Sequence, residues 1–139
     1  NVLHRGKISL VNGGRQRRSF TWVGDGIEGL VSIIENKDNK ADGQIFNIGN
    51  PGNNHSIREL AEMLIEEMKN FPAYRERAEN TVLEEISADD YYGKTYDDMQ
   101  NRLPSVKKME KLLGWKPRTG MRELLSKTVA WYAAKEKMD

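Results

Sequence analysis

Arginine is the residue type in this sequence best suited to chemistry, and it occurs in two settings. Arg15, Arg17 and Arg18 follow the turn Asn12-Gly13-Gly14, and Arg102 sits just ahead of Leu103 and Pro104. The second setting opens upstream with Tyr91, Tyr92 and Tyr96 around a Gly93-Lys94 turn. A guanidinium held beside a turn or a proline-stopped loop can contact an anion. The same residues have plainer readings. Three arginines on a short strand make a solvated basic edge that resists aggregation, and Arg102 fits a surface or helix-capping role. His55 and the pair Glu84-Glu85 are weaker candidates. His55 has no catalytic partner near it in sequence and reads as a surface loop histidine. The two glutamates read as a solvated strand end rather than an acid/base pair.

Composition narrows the classes. The 139 residues suffice for one domain with a core. Hydrophobic residues make up 37% and the mean hydropathy is −0.75, so the core is modest and the surface polar. Basic and acidic residues nearly balance, 22 against 21, and a net charge of +1 argues against a dedicated nucleic-acid binder. The absence of cysteine excludes disulfides and thiolate metal sites and fits a reducing, cytoplasmic setting. No apolar run approaches the ~18 residues of a membrane span, and no signal-peptide apolar region follows the N-terminus. The first residue is Asn rather than Met, and the start reads as if cut from a longer chain.

The elements that must position the arginines follow from periodicity. Lys7 to Val11 alternates apolar and polar and predicts a strand. Asn12-Gly13-Gly14 is a strong turn signal, so Arg15 to Phe20 is expected to return as the second strand of a hairpin. Val23, Ile27, Leu30, Val31 and Ile34 recur at helical spacing and predict a helix over Val23 to Glu35, its glycines packing against a sheet or another backbone. Asn36 to Gly43 reads as a polar loop, and Gln44 to Ile48 as a strand broken by Gly49-Asn50-Pro51-Gly52. Ser56 and Glu59 form a capping box ahead of the stripe Ile57, Leu60, Ala61, Leu64, Ile65 and Met68. Phe71 to Asn80 reads as charged and irregular, and Thr81 to Ile86 as a strand. Ser105 is the expected cap of a short helix stopped by Gly114, and Thr119 that of a last helix buried through Met121, Leu124, Leu125, Thr128, Val129 and Tyr132. The order is α/β, mixed α and β without repeat or linker, and its strand–helix–strand portion suits a parallel sheet. No G-x-G-x-x-G follows a strand, and there is no Walker, H-E-x-x-H or G-x-S-x-G motif.

Three stretches taken together, GGRQRRSFTWVGDGIEGL, GQIFNIGNPGNNHSIRELAEML and YYGKTYDDMQNRLPSVKKMEKLLGWKPRTGMRELL, resemble the C-terminal portion of extended short-chain dehydrogenase/reductase enzymes of sugar nucleotides. Within that family the likeness is greatest to UDP-glucuronate decarboxylases of the polymyxin-resistance branch, which serve aminoarabinose modification of lipid A. UDP-xylose synthases and 4-epimerases share the scaffold, and a non-catalytic interaction module is the alternative from another class. The resemblance implies NAD as cofactor, oxidation of a sugar hydroxyl to a ketone β to the carboxylate, and loss of CO₂ to leave a UDP-4-keto-pentose. It implies that the segment Ser9, Leu10, Val11, Asn12, Gly13, Gly14, Arg15, Gln16, Arg17 and Arg18 lines the UDP-sugar site, with Arg18 toward the diphosphate, where a guanidinium binds two oxygens at once. By the same resemblance Tyr96 contacts the UDP-sugar, and Arg102 is the catalytic arginine. An arginine side chain is a very weak acid, which handicaps proton donation by Arg102, and electrostatic stabilisation of the carboxylate and enolate is the simpler role.

The sequence departs from the family at Trp22 and Gly24, where relatives carry a polar or charged pair. The family's Gly-rich turn, Tyr-x-x-x-Lys pair and Ser/Thr-Glu segment do not occur here: Lys94 follows Tyr91 by three positions, not four. The nucleotide-binding Rossmann half is therefore expected outside this chain, as a partner. Tight NAD binding by these residues alone is not expected; the resemblance implies that the full enzymes are commonly oligomeric, which leaves a homo-oligomer open.

Overall fold

The computed structural model describes residues 2–93 and 99–135. Its elements in chain order are α1 (Val2–Arg5), β1 (Lys7–Val11), β2 (Arg17–Ser19), α2 (Val23–Glu35), β3 (Asn54–Ser56), α3 (Ile57–Lys69) and α4 (Arg75–Glu79). There follow β4 (Val82–Ile86), α5 (Ala88–Tyr92), β5 (Asn101–Arg102), α6 (Lys107–Leu113) and α7 (Met121–Lys135). The fold is mixed α/β, as the patterning predicts. The residues divide into two compact units, one of Asn1–Arg17, His55–Asn101 and Leu125–Asp139, the other of Arg18–Asn54 and Arg102–Leu124.

In the first unit β1 pairs parallel with β4, Lys7 opposite Val82 and Val11 opposite Ile86. The expected hairpin does not form. The chain leaves β1 through a short 3₁₀ turn in which Asn12, Gly13 and Gly14 all have positive φ, of 48°, 71° and 66°. That run redirects the chain, and β2 joins β3 and β5 in the order β3-β2-β5. Helix α3 begins where the sequence signals it: the Ser56 hydroxyl accepts from the Glu59 amide at 3.0 Å, and the Glu59 carboxylate accepts from the Ser56 amide at 2.7 Å. Its apolar stripe covers a core of Val2, Met68, Tyr74, Ala78 and Val129. Val2, Met68 and Val129 each contribute roughly 1.5–3 kcal/mol on leaving water. The segment read as irregular contains α4, and Tyr74 at its start is 1% exposed.

In the second unit the core is Val106, Met109 and Trp115, with Ile33, Phe46, Ile48 and Leu113 packed against it. Helix α2 has the expected bounds, but its buried positions are Asp25 and Gly29, while Val23, Ile27, Leu30, Val31 and Ile34 are exposed. The close approach expected of a helix glycine occurs at Gly29, where a Cβ would lie 3.0 Å from Trp115 Cε2. Gln44 to Ile48 is not a strand: Phe46 and Ile48 turn inward and Ile45 outward, in strand-like alternation, yet no ladder partner meets them among the described residues. Pairing requires a neighbour as well as a pattern. The N-cap of α6 is Val106 rather than Ser105, without a side-chain cap, and Gly114 ends the helix in the left-handed conformation, as predicted. The Thr119 hydroxyl donates to the Asp25 carboxylate, and α7 begins at Met121.

Candidate functional site

The segment Ser9 to Arg18 divides by burial. Leu10 has 0% exposure, Gly13, Gly14 and Gln16 are buried, and Ser9, Val11, Arg17 and Arg18 are half-buried. Asn12 and Arg15 reach the surface. A ligand on this segment therefore meets backbone and polar side chains, and not Leu10. The Gly13-Gly14 backbone is clamped within the first unit. Arg58 Nε donates to the Gly13 carbonyl at 3.0 Å, and the Arg58 guanidinium also pairs with Glu85. The Gln16 carbonyl accepts from the Ile57 amide at 3.1 Å, tying the segment to the start of α3.

The arginines fall into different settings. Arg17 Nη1 lies 3.1 Å from Glu59 Oε2, so its charge is matched by α3. The hydrogen bond from the Ser56 amide, opposed by partial desolvation and aided by Arg17, holds the Glu59 carboxyl below its ordinary value. His55 Nδ1 is 3.7 Å from the same carboxylate, four residues on in the chain, and forms an ion pair with it only when the imidazole is protonated. Glu84 pairs with Lys7 at 2.9 Å, so both members of the Glu84-Glu85 pair are salt-bridged.

Arg18 and Arg102 lie in the second unit on neighbouring strands, β2 and β5. The Ser19 hydroxyl donates to the Arg102 carbonyl at 3.2 Å, and Asn54 Nδ2 approaches the same oxygen at 3.5 Å. Arg102 thus has a pinned backbone and an exposed guanidinium that makes no hydrogen bond or ion pair among the described residues. An exposed guanidinium on a pinned strand can offer its donor fork to a carboxylate or phosphate. Tyr96 lies outside the described residues.

Sequence reasoning missed Asp25. Its buried carboxylate accepts from the Arg118 amide at 3.1 Å, the Thr119 amide at 2.9 Å and the Thr119 hydroxyl at 2.9 Å. Its carbonyl accepts from Trp115 Nε1 at 3.1 Å. The available signal was an acidic residue in a helix first turn, a favoured place for negative charge. Asp25 also falls within Gly24-Asp25-Gly26-Ile27-Glu28-Gly29, which has dinucleotide-motif spacing. Here those glycines lie inside α2, not in a strand-to-helix turn, so they do not cradle a pyrophosphate. Among the described residues no group of three or more His, Cys, Asp or Glu could hold a metal ion.

The sequence profile of the family described as GDP-mannose 4,6 dehydratase matches residues 2–128. The chain belongs to this family. Among solved structures, the PbgP3 protein of Burkholderia pseudomallei is similar with a TM-score of 0.75 and 38% identity, over 94% of this chain and 36% of that one. The dTDP-glucose 4,6-dehydratase of Bacillus anthracis, solved with NAD, gives a TM-score of 0.73 at 20% identity over 99% of this chain and 37% of that one. MoeE5, solved with UDP-glucuronic acid and NAD, gives 0.64 at 22% identity over 93% and 37%. The chain thus spans little more than a third of the length of these relatives. Several residues of the motifs that carry the resemblance make packing and hydrogen-bond contacts. Asn50 Nδ2 donates to the Thr119 carbonyl at 2.9 Å, Gly49 faces Pro104, and Trp115 of the Leu-Gly-Trp-Lys-Pro run lies over Gly29.

Proposed function

We propose that this chain is the substrate-binding part of an NAD-dependent oxidative decarboxylase of UDP-glucuronate, producing a UDP-4-keto-pentose for aminoarabinose modification of lipid A in the cytoplasm. The observation that carries the reading is Arg102, whose exposed guanidinium stands on a strand pinned beside that of Arg18. Family membership and the likeness to a protein solved with UDP-glucuronic acid support the substrate class. In this reading Arg18 takes diphosphate oxygens and Arg102 the sugar carboxylate. Once the sugar carries a ketone β to that carboxylate, the C–C bond to CO₂ breaks and its electron pair passes into the enolate. Arg102 holds the carboxylate in register and stabilises the negative charge as it moves. No Gly-rich phosphate turn for NAD occurs among the described residues, so the proposal assigns this chain the sugar nucleotide and not the cofactor.

The proposed partner is the NAD-binding half of the enzyme. The exposed apolar face of α2, together with Ile45 at 84% exposure on an unpaired extended segment, is the surface offered to it. The same face favours the rival reading of a non-catalytic interaction module. Calorimetry with UDP-glucuronate and UDP-glucose separates the two. The decarboxylase reading expects tighter binding of UDP-glucuronate, with the difference abolished in Arg102→Ala. A stably folded chain that binds neither ligand favours the interaction module.

A further inference from the structure

Asn12, Gly13 and Gly14 form three consecutive residues with positive φ inside the proposed substrate segment. Glycine takes positive φ about as readily as negative, so the conformational cost of this run falls on Asn12, and the groups around the turn select this path among the many open to its glycines. Here the surroundings are specific. Asn12 Oδ1 accepts from the Ala88 amide at 3.0 Å, at the start of α5. Gly13 is held from both sides, its carbonyl accepting from Arg58 Nε at 3.0 Å and its α-carbon facing the Glu85 carboxylate, with Oε2 3.3 Å from where a Cβ would stand. A Cβ on Gly14 would lie 2.9 Å from the Arg58 amide nitrogen, so the turn is seated against the backbone of α3. Arg58 is common to these contacts: its Nε serves Gly13, the guanidinium end serves Glu85, and Glu62 Oε1 lies 3.9 Å away.

We infer that Arg58 is a positioning residue that sets the Asn12–Gly14 turn, and through it the presentation of the substrate segment, without touching the substrate. The inference rests on the proposed function for its consequence and on the turn geometry for its cause. Lysine retains the charge but not the fork that reaches a carbonyl and a carboxylate together.

The test uses the whole chain with Arg58→Ala, Arg58→Lys and Glu85→Gln, reading two quantities: UDP-glucuronate affinity by calorimetry, and amide hydrogen exchange at Asn12, Gly13 and Gly14. Arg58→Ala is expected to weaken UDP-glucuronate about tenfold and to speed exchange at the turn. Arg58→Lys should restore little of either, and Glu85→Gln should give an intermediate effect on both. Unchanged exchange in Arg58→Ala overturns the inference. So does weakened binding in Arg58→Ala that Arg58→Lys fully restores, because a charge effect on the ligand would then suffice. Absence of UDP-glucuronate binding by the unmutated protein refutes the proposed function instead, while the exchange comparison still decides whether Arg58 sets the turn.

Discussion

The Asp25 carboxylate is the most consequential buried polar group in the second unit, and its removal has a cost that follows from the geometry. Asp25 is 6% exposed and accepts three hydrogen bonds, from the Arg118 amide, the Thr119 amide and the Thr119 hydroxyl. Asp25→Ala removes every acceptor. The hydroxyl can rotate toward another acceptor, but the two amides are fixed by the backbone. The buried Thr119 amide left without a partner costs about 1–3 kcal/mol, the half-buried Arg118 amide costs less because water can reach it, and the lost charge-assisted bonds add to both, so the expected destabilisation is about 3–5 kcal/mol. That is a large fraction of the ~5–15 kcal/mol available to a domain. Asp25→Asn keeps one acceptor oxygen and turns an NH₂ toward a donor, and should cost about half as much. Urea unfolding followed by far-UV circular dichroism measures both. At a slope of ~2 kcal/mol/M the alanine variant should lose about 2 M in midpoint. Thr119→Val should add little in the alanine background, because its partner is already gone. A midpoint shift under ~0.5 M for Asp25→Ala would refute the reasoning, since the amides would then have found acceptors the structure does not show.

Three other outcomes are expected. Gly49→Ala places a methyl 2.6 Å from Pro104 Cγ and should destabilise by about 1–3 kcal/mol, read as a lower urea midpoint at unchanged slope. Ser56→Ala removes the hydroxyl half of the capping box and should cost about 1 kcal/mol in the same assay. The Glu59 carboxyl is held below its ordinary value of 4.5, so its contribution is full above that value and disappears as pH falls through the lower, folded-state value. The melting temperature of Glu59→Gln should therefore lie below that of the unmutated protein at pH 7 and converge with it in acid; a gap that persists in acid would contradict the assignment.

Local signals were legible where the sequence carries its own geometry. The capping box at Ser56 and Glu59 and the left-handed stop at Gly114 both involve partners within a few residues, and both stand where the sequence puts them. Helix α2 was legible in its bounds but not in its orientation. Its apolar stripe satisfied the helical period, yet the buried face is the one bearing Asp25 and Gly29, because Trp115 and Thr119 come from far along the chain to meet it. The candidate site was legible only in part. Arg17 and Arg18 are adjacent in sequence, but only three-dimensional placement shows Arg17 paired with Glu59 and the strand of Arg18 next to that of Arg102.

The sequence by itself determined the class, mixed α/β, the position of its longer helices, and the resemblance that the family match to residues 2–128 bears out at the level of sugar-nucleotide enzymes. Tertiary structure alone decided which strand β1 pairs with. A glycine turn after an alternating segment suits a hairpin as well as it suits the left-handed run seen at Asn12–Gly14, and choosing between them takes the distant groups that hold the turn: Arg58, Glu85 and the Ala88 amide. Strand pairing and buried-carboxylate networks draw their partners from residues far apart in the chain, so no local pattern encodes them.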